Sequence, residues 1–173
     1  MIIRKCKIEE IERVGEFYDE VVKDLCEHVN YPKWTYKYYP STDFARQMTQ
    51  AGEQFVCFDG EELIGAFVFN DDPQGAYEKA TWGASLRRGE YGVCHAVALK
   101  PKLQGKGLGK RIVEYCIRRA KTLGYKAVRL DVVPTNLPAR KLYEKCGFTY
   151  VGDADLERGY DDIPMFSLLE LNF

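Results

Sequence analysis

The feature that most restricts how this chain folds is a glycine-rich segment between two apolar patterns of different period. It is preceded by YGVCHAVALK, residues 91–100, a continuous apolar run that predicts a buried strand ending before Pro101. The segment itself is LQGKGLGKR, residues 103–111. Apolar residues then recur every three or four positions until Gly124, which predicts an amphipathic helix with a glycine C-cap. The order of strand, glycine loop and helix predicts a mixed α/β fold.

The segments before this strand also alternate between apolar patterns typical of strands and apolar patterns typical of helices. MIIRKC predicts a first strand, and apolar residues at helical spacing over Ile8–Val29 predict a long helix. The aromatic segment YPKWTYKYYPS has no period and predicts a loop or a broken helix, after which Ser41 or Thr42 caps a short helix. A hairpin is predicted where QFVCFDGEELIGAFVFN turns at its Asp-Gly pair, residues 59–60. Residues 71–90 are polar and lead to no prediction.

The segments after the glycine loop continue the alternation. KAVRLDVV predicts a strand, and TNLPARKLYEKCGF predicts a helix that starts at Thr135 or Asn136 and stops at Gly147. FTYVGDADL and IPMFSLLELNF predict two final strands. Because no repeat, low-complexity tract or linker interrupts the pattern, we expect a single domain over residues 1–173.

The charge balance excludes some partners. Lys and Arg number 25 against 26 Asp and Glu, so neither nucleic acid nor a membrane surface is expected as a partner, and small molecules or peptides are favoured. The six cysteines form no C-x-x-C pair, which favours a reducing, cytoplasmic setting. The N-terminus becomes charged too early for a secretory signal, and no apolar run approaches membrane-spanning length. The residues leave the oligomeric state open, with a homodimer among the alternatives.

Two familiar phosphate-binding patterns do not fit the glycine loop. The P-loop requires a glycine five residues before the Gly-Lys pair and a Ser or Thr after it, where this chain has Gln104 and Arg111. The dinucleotide pattern G-x-G-x-x-G, started at Gly105, places its third glycine at Lys110. These spacings argue against a protein that uses the loop for ATP or NAD.

The loop nevertheless has the chemistry of an anion site. Glycines allow positive φ, so successive backbone N–H groups can point towards one anion without an obstructing Cβ. The N-terminus of the following helix adds unpaired N–H groups and a partial positive charge, and Lys106 and Lys110 add two cations. We therefore predict a phosphate or pyrophosphate site. The alternative is a glycine-rich turn that only joins a strand to a helix.

The residues around the loop resemble a known family. VALKPKLQGKGLGKRIVEYC is similar to the acyl-CoA-binding signature Q/R-x-x-G-x-G/A of the GNAT superfamily of N-acetyltransferases, with Gln104, Gly107 and Gly109 at its fixed positions. The first of these is often Arg in the family. DVVPTNLPARKLYEKCGFTYVG resembles the segment that follows in the family, an Asn that opens a helix with A-x-x-L-Y-x-x-x-G-F. The matching residues there are Asn136, Ala139, Leu142, Tyr143, Gly147 and Phe148.

The resemblance implies a fold and a co-substrate. The fold is a mixed, mostly antiparallel twisted sheet with helices on both faces and a splayed central strand pair. The co-substrate is acetyl-CoA, with no metal. Backbone groups at Val97 and Leu99 pair with the pantetheine arm, Asn136 and Ala139 contact the cofactor, and Tyr143 reaches its sulfur. The pyrophosphate is held by the amides of Gln104, Gly105, Lys106, Gly107, Leu108, Gly109 and Lys110.

Acetyl transfer to an amine requires a base, an oxyanion donor and an acid for the departing thiolate. Tyr143 is the candidate acid, because a phenol is protonated at neutral pH; the alternative is packing in the core. His95 is the candidate base, and the alternatives are Glu90, Glu78, a water chain, or a histidine that only packs in the core. The oxyanion is expected to meet a backbone N–H near Val97.

The acceptor is the least determined part of the reaction. The rings of Trp34, Tyr36 and Tyr38 follow the first helix, where the family builds its acceptor wall, so they are candidate substrate-binding residues. Alternatively they cover the edge of the core. We expect direct transfer of an acetyl group to a primary amine of a small molecule or peptide. The alternative function is a non-catalytic module that binds or senses acyl-CoA.

Overall fold

The computed structural model describes all 173 residues and contains seven strands and four α-helices. The strands have the order β1-β2-β3-β4-β5-β7-β6. The elements are β1 (Ile2–Lys5), α1 (Ile11–Glu27), α2 (Thr42–Gln50), β2 (Gln54–Asp59), β3 (Glu62–Asn70), β4 (Tyr91–Leu99), α3 (Leu108–Thr122), β5 (Ala127–Val132), α4 (Leu137–Lys145), β6 (Thr149–Ala154) and β7 (Phe166–Asn172). The expected order of strands and helices is confirmed.

The sheet is mostly antiparallel, as the resemblance implies. Antiparallel ladders join β1 to β2, β2 to β3, β5 to β7 and β6 to β7. β4 and β5 run parallel, and their ladder pairs only Tyr91–Val93 with Ala127–Arg129. The pairing therefore covers the first third of β4 and stops there. No helix is both long and apolar enough to cross a membrane.

The chain divides into two compact units. Unit 1 comprises Met1–Phe69 and His95–Ile112, and unit 2 comprises Asn70–Cys94 and Val113–Phe173. β4 and α3 each contribute residues to both units.

The core of unit 1 lies between α1 and the strands β2, β3 and β4. Val14, Phe17 and Val21 of α1 lie on one helical face, as their spacing predicts, and all are buried in this cluster. α2 packs beside α1 at Gly15, where the side chain of Thr42 comes so close that a Cβ would collide with it. Glycine is therefore required at this crossing.

The ends of the helices in unit 1 differ in part from the prediction. α1 ends at Glu27, and Ile8 and Val29 lie outside it and are exposed. The helix stops early because the amide of Asn30 folds the next residues into a turn, donating to the Trp34 carbonyl at 2.6 Å and accepting from its N–H at 3.0 Å. Ser41 is confirmed as the cap of α2, since its Oγ accepts the Phe44 N–H at 3.2 Å.

Unit 2 has a core on each side of its strands. Tyr91 and Val93 of β4 face an apolar cluster with Leu168 of β7. Their neighbour Cys94 points the other way, and its Sγ lies 3.5 Å from Sγ of Cys116 on α3. Helix α3 and residues 71–90 therefore cover opposite faces of these strands.

Candidate active site

The glycine loop has an open backbone. Gly105 and Gly107 have φ of +74° and +78°, in the left-handed region that favours glycine. A Cβ placed on either residue would meet no atom within 4 Å, so the space beside this backbone is open. α3 begins at Leu108, directly after the second of these glycines. The loop thus combines an accessible backbone with a helix N-terminus, which is the arrangement of an anion site.

The strand before the loop has an irregular backbone at its centre. Ala96 has φ of +46°, a conformation that residues with a Cβ adopt infrequently and that carries strain. The buried Tyr18 donates a hydrogen bond from its hydroxyl to the Ala96 carbonyl at 3.3 Å, and that hydroxyl accepts one from Nε2 of Gln54 at 3.2 Å. Side chains from α1 and β2 therefore hold β4 in this conformation beside Val97.

The other predicted residues of unit 1 lie along β4 and in the aromatic loop. His95 is buried directly before Ala96. In the segment between α1 and α2, Trp34 packs against the core of unit 1, while Tyr36 is 44% and Tyr38 is 77% exposed. Trp34 therefore covers the edge of the core, as in the alternative interpretation. Tyr38 presents most of its surface to solvent.

In unit 2, Asn136 and Ala139 form the N-terminus of α4. Oδ1 of Asn136 accepts the N–H of Ala139 at 3.2 Å, so this side chain caps the helix. Tyr143 follows one turn later and is buried, with its ring 5.7 Å from that of Phe148. Burial raises the pKa of Tyr143 well above its usual value, and the nearby Cys94 thiol adds to this. The hydroxyl makes no hydrogen bond within the chain and stays protonated.

Unit 2 contains a cavity of about 630 Å³ that the sequence did not predict. Its walls come mainly from residues 72–91, the segment without a prediction, and from β5. Residues with rings or charges that line it include Tyr77, Glu78, Trp82, Arg87, Tyr91 and Arg129.

A buried ion pair holds the segment of residues 72–91 at Ala84. Nε of Arg129 on β5 donates to Oε1 of Glu170 on β7 at 2.8 Å, and their side chains are 2% and 1% exposed. Both partners also bind the backbone of Ala84: Nη2 of Arg129 donates to its carbonyl at 2.6 Å, and Oε2 of Glu170 accepts its N–H at 3.1 Å. The guanidinium lies over the rings of Trp82 and Tyr91, 4.4 Å from each centroid.

A second group of side chains holds the beginning of the same segment, at residues 73–77. Arg158 donates to both oxygens of Asp131 on β5, at 2.7 and 2.8 Å, and also to the carbonyls of Pro73 and Gln74. The hydroxyl of Tyr77 donates to the same carboxylate at 2.7 Å. Burial, together with the charge of Asp131, raises the pKa of Tyr77 well above its usual value. Asp131 therefore holds residues 73–77 in place, directly through Tyr77 and indirectly through Arg158.

The two carboxylates named as alternative bases differ in position. Glu78 lines the cavity and forms no salt bridge. Glu90 is held by Lys126 and by the Arg87 N–H, and the Lys126 hydrogen bond lowers the pKa of Glu90 to about 2. A carboxylate of that pKa is a poor base near neutral pH. No three His, Cys, Asp or Glu side chains cluster closely enough to hold a metal ion.

Comparisons with known proteins find a matching family model and several similar proteins. The model of the acetyltransferase (GNAT) family matches residues 18–148. The uncharacterized N-acetyltransferase YvbK of Bacillus subtilis is 28% identical over 109 residues, which are 63% of this chain and 61% of YvbK. The match therefore spans about three fifths of that relative.

Two solved structures are also similar. The structure of yncA from Salmonella typhimurium with acetyl-CoA superposes with a TM-score of 0.71 at 19% identity, covering 99% of this chain and 93% of yncA. A Bacillus subtilis acetyltransferase in complex with CoA has a TM-score of 0.61 at 25% identity, covering 78% of this chain and 86% of that protein. The first of these shows a shared fold.

Proposed function

Because this chain belongs to the GNAT family of acetyltransferases, we propose that it transfers the acetyl group of acetyl-CoA directly to a primary amine of a small molecule or peptide. The observation that carries the proposal is the open backbone at Gly105 and Gly107, next to the N-terminus of α3. Two similar structures, solved with acetyl-CoA and with CoA, support the identity of the co-substrate.

The loop fits a diphosphate because the space that a Cβ would fill at its two left-handed glycines is open. The N–H of Gln104 already donates to the Pro101 carbonyl at 3.1 Å, so the amides of residues 105–110 are left to hold the negative charge. Lys106 and Lys110 add positive charge at the rim. Val97 and Leu99 offer main-chain groups to the pantetheine arm. Asn136 and Ala139, at the start of α4, contact the cofactor in this proposal.

Bound acetyl-CoA supplies an activated thioester, and the chain's own groups assist the exchange of bonds. The amine nitrogen forms a bond to the acetyl carbon, and the carbon–sulfur bond breaks. His95 accepts the proton that the amine loses, and Tyr143 gives a proton to the sulfur. The N–H near Val97, beside the left-handed Ala96, donates to the carbonyl oxygen as charge develops there. The Tyr18 hydroxyl holds this backbone in place beforehand.

The proposal is tested by thiol release from acetyl-CoA in the presence of a panel of amines. We expect release only when an acceptor is added, together with thermal stabilisation by CoA. Binding of CoA without release under any acceptor would favour the non-catalytic acyl-CoA module instead. Stabilisation by ATP or NAD without stabilisation by CoA would contradict both functions.

The role of Tyr143 is tested by Tyr143→Phe. Loss of the proton donor should lower kcat by about 100-fold or more, since general acid catalysis contributes about 10²–10⁴-fold. CoA affinity should change little because the ring remains. Tyr150→Phe is the control: it removes the hydroxyl of a surface tyrosine in the same unit and should leave kcat unchanged. Unchanged turnover in Tyr143→Phe would assign this residue to core packing.

A further inference from the structure

The side chain of Gln54, the first residue of β2, is polar although it is fully buried in unit 1. The four residues that follow it in the strand are apolar and buried. Nε2 of Gln54 donates to the carbonyls of Phe55 and Phe67, at 3.0 Å each. These two residues are partners in the β2–β3 ladder, so the amide is fixed at both strands.

The oxygen of the same amide shows that stability alone does not explain this glutamine. Oε1 of Gln54 is buried without a hydrogen-bond partner. A buried oxygen in that state costs free energy that an apolar side chain would avoid. Rotating the amide would turn this oxygen towards the Phe55 and Phe67 carbonyls, which also cannot donate. The useful part of the side chain is therefore its N–H donor.

This donor reaches β4 through Tyr18. Nε2 of Gln54 donates to the Tyr18 hydroxyl at 3.2 Å, and the hydroxyl donates to the Ala96 carbonyl at 3.3 Å. Because the hydroxyl oxygen accepts from the amide, its single hydrogen is directed away from the amide and towards the carbonyl. All three residues are buried, so water does not compete for these hydrogen bonds. The amide thus sets the direction in which Tyr18 donates.

Holding the Ala96 carbonyl also fixes the N–H of Val97. The two groups belong to one planar trans peptide and point in opposite directions. The φ of +46° at Ala96 carries strain, so this peptide needs support from its surroundings. Val97 is also the first residue along β4 that is not buried. The hydrogen bond from Tyr18 therefore aims an N–H at the point where the strand becomes accessible.

We propose that Gln54 is a positioning residue of the acetyl transfer. Its amide directs the Tyr18 hydroxyl onto the Ala96 carbonyl, and this hydrogen bond aims the Val97 N–H at the oxygen on which charge develops. Gln54 itself touches neither the cofactor nor the acceptor. The inference rests on the proposed acetyl transfer, because it concerns the oxyanion donor of that reaction.

The first experiment observes the peptide without turnover. Ala-Val occurs in the chain only at residues 96–97 and 127–128. Labelling alanine with ¹³C at the carbonyl and valine with ¹⁵N therefore gives two peaks in a carbonyl–amide correlation spectrum, which Val97→Ile assigns by removing one. Gln54→Leu should shift the peak of residues 96–97 and leave that of residues 127–128, in β5, in place.

Two further variants keep this experiment decisive. Gln54→Met has an unbranched side chain of about the same length as glutamine, and it replaces Gln54→Leu if that variant does not fold. Tyr18→Phe removes the other end of the path and should shift the same peak. A shift in Tyr18→Phe without one in the Gln54 variant, or equal shifts of both peaks, would overturn the inference.

The second experiment measures kinetics in a double-mutant cycle. Gln54→Leu should lower kcat about threefold or more, because a misaimed donor stabilises the developing charge less well. The KM for acetyl-CoA should stay the same. In the Tyr18→Phe protein the same substitution should change kcat by less than about twofold, because the path is already broken. An equal fall of kcat in both backgrounds would contradict action through Tyr18.

Val56→Ala is the matched control for packing. Val56 lies two positions from Gln54, on the same face of β2, and is fully buried in the core of unit 1. This variant should lose stability in chemical denaturation and keep its kcat. A fall of kcat as large as that in Gln54→Leu would assign Gln54 to packing.

The two proposals fail separately. Thiol release by Gln54→Leu at the unchanged rate would remove Gln54 from the reaction and keep the transferase. A shifted peak of residues 96–97 in a protein that releases no thiol with any amine would keep the hydrogen-bonded path and remove the transferase, and with it the positioning role.

Discussion

The two segments that flank β4 are built in opposite ways. The glycine loop after the strand is short and uses its own backbone, with left-handed φ at Gly105 and Gly107 and open space beside them. Residues 71–90 before the strand are held by side chains from elsewhere: Glu170 is 86 positions from the Ala84 N–H that it binds, and Arg158 is 84 positions from the Gln74 carbonyl. A site made by local backbone leaves a signature in the sequence, and a wall held by distant side chains leaves none.

The largest effect is expected when the buried ion pair between Arg129 and Glu170 is removed. Glu170→Ala should lower the free energy of unfolding by about 3–5 kcal/mol, because Arg129 would remain buried without its partner. Lys79→Ala breaks the exposed pair with Glu157 and should leave the free energy of unfolding nearly unchanged, because solvent screens exposed charge pairs. Chemical denaturation measures both. Similar losses in the two variants would mean that the ion pair does not hold residues 71–90 as described.

A smaller effect is expected in the glycine loop. Gly107→Ala forces a Cβ residue into φ of +78°, at a cost of about 1–2 kcal/mol, and places a methyl group where the diphosphate is proposed to bind. Gly124→Ala is a matched control with the same φ and equally open space, at the end of α3. Both variants should lose similar stability in denaturation. Only Gly107→Ala should lose CoA affinity, by tenfold or more in calorimetric titration.

The smallest effect is expected in β4 itself. Tyr18→Phe removes the hydrogen bond to the Ala96 carbonyl, a loss of about 1 kcal/mol of stability. If this bond positions the backbone beside Val97, kcat should fall about three- to tenfold while the KM for acetyl-CoA stays the same. Val21→Ala, in the same helix and core, is the control for stability alone. If Val21→Ala lowers kcat as much as Tyr18→Phe does, the role of Tyr18 is packing rather than positioning of the backbone.

The fold was largely predictable because its elements follow local rules. The spacing of Val14, Phe17 and Val21 places one face of α1 in the core, and Ser41 caps α2 through a contact within four residues. Ile8 and Val29 continue the period but are exposed, because the chain before and after α1 adopts other turns. Periodicity predicted that a helix exists and was less accurate about its ends.

The candidate site was predictable only in part. Residues 104–110 and Tyr143 follow a pattern that the sequence displays, and their roles remain predictions. The cavity walls were not predictable, because Trp82, Arg129 and Glu170 become neighbours only when the strands of unit 2 pair. The positive φ of Ala96 was also hidden, since alanine carries no signal for that conformation.

By itself, the sequence determined the order of elements, the glycine loop that opens α3 and the resemblance to GNAT acetyltransferases, because each depends on dihedral preferences and periods of neighbouring residues. Only the tertiary structure decided which carboxylate lines the cavity and which is neutralised by Lys126, and how residues 71–90 form a wall. The reason is that electrostatic and packing contacts depend on distances in space, between residues up to 86 positions apart.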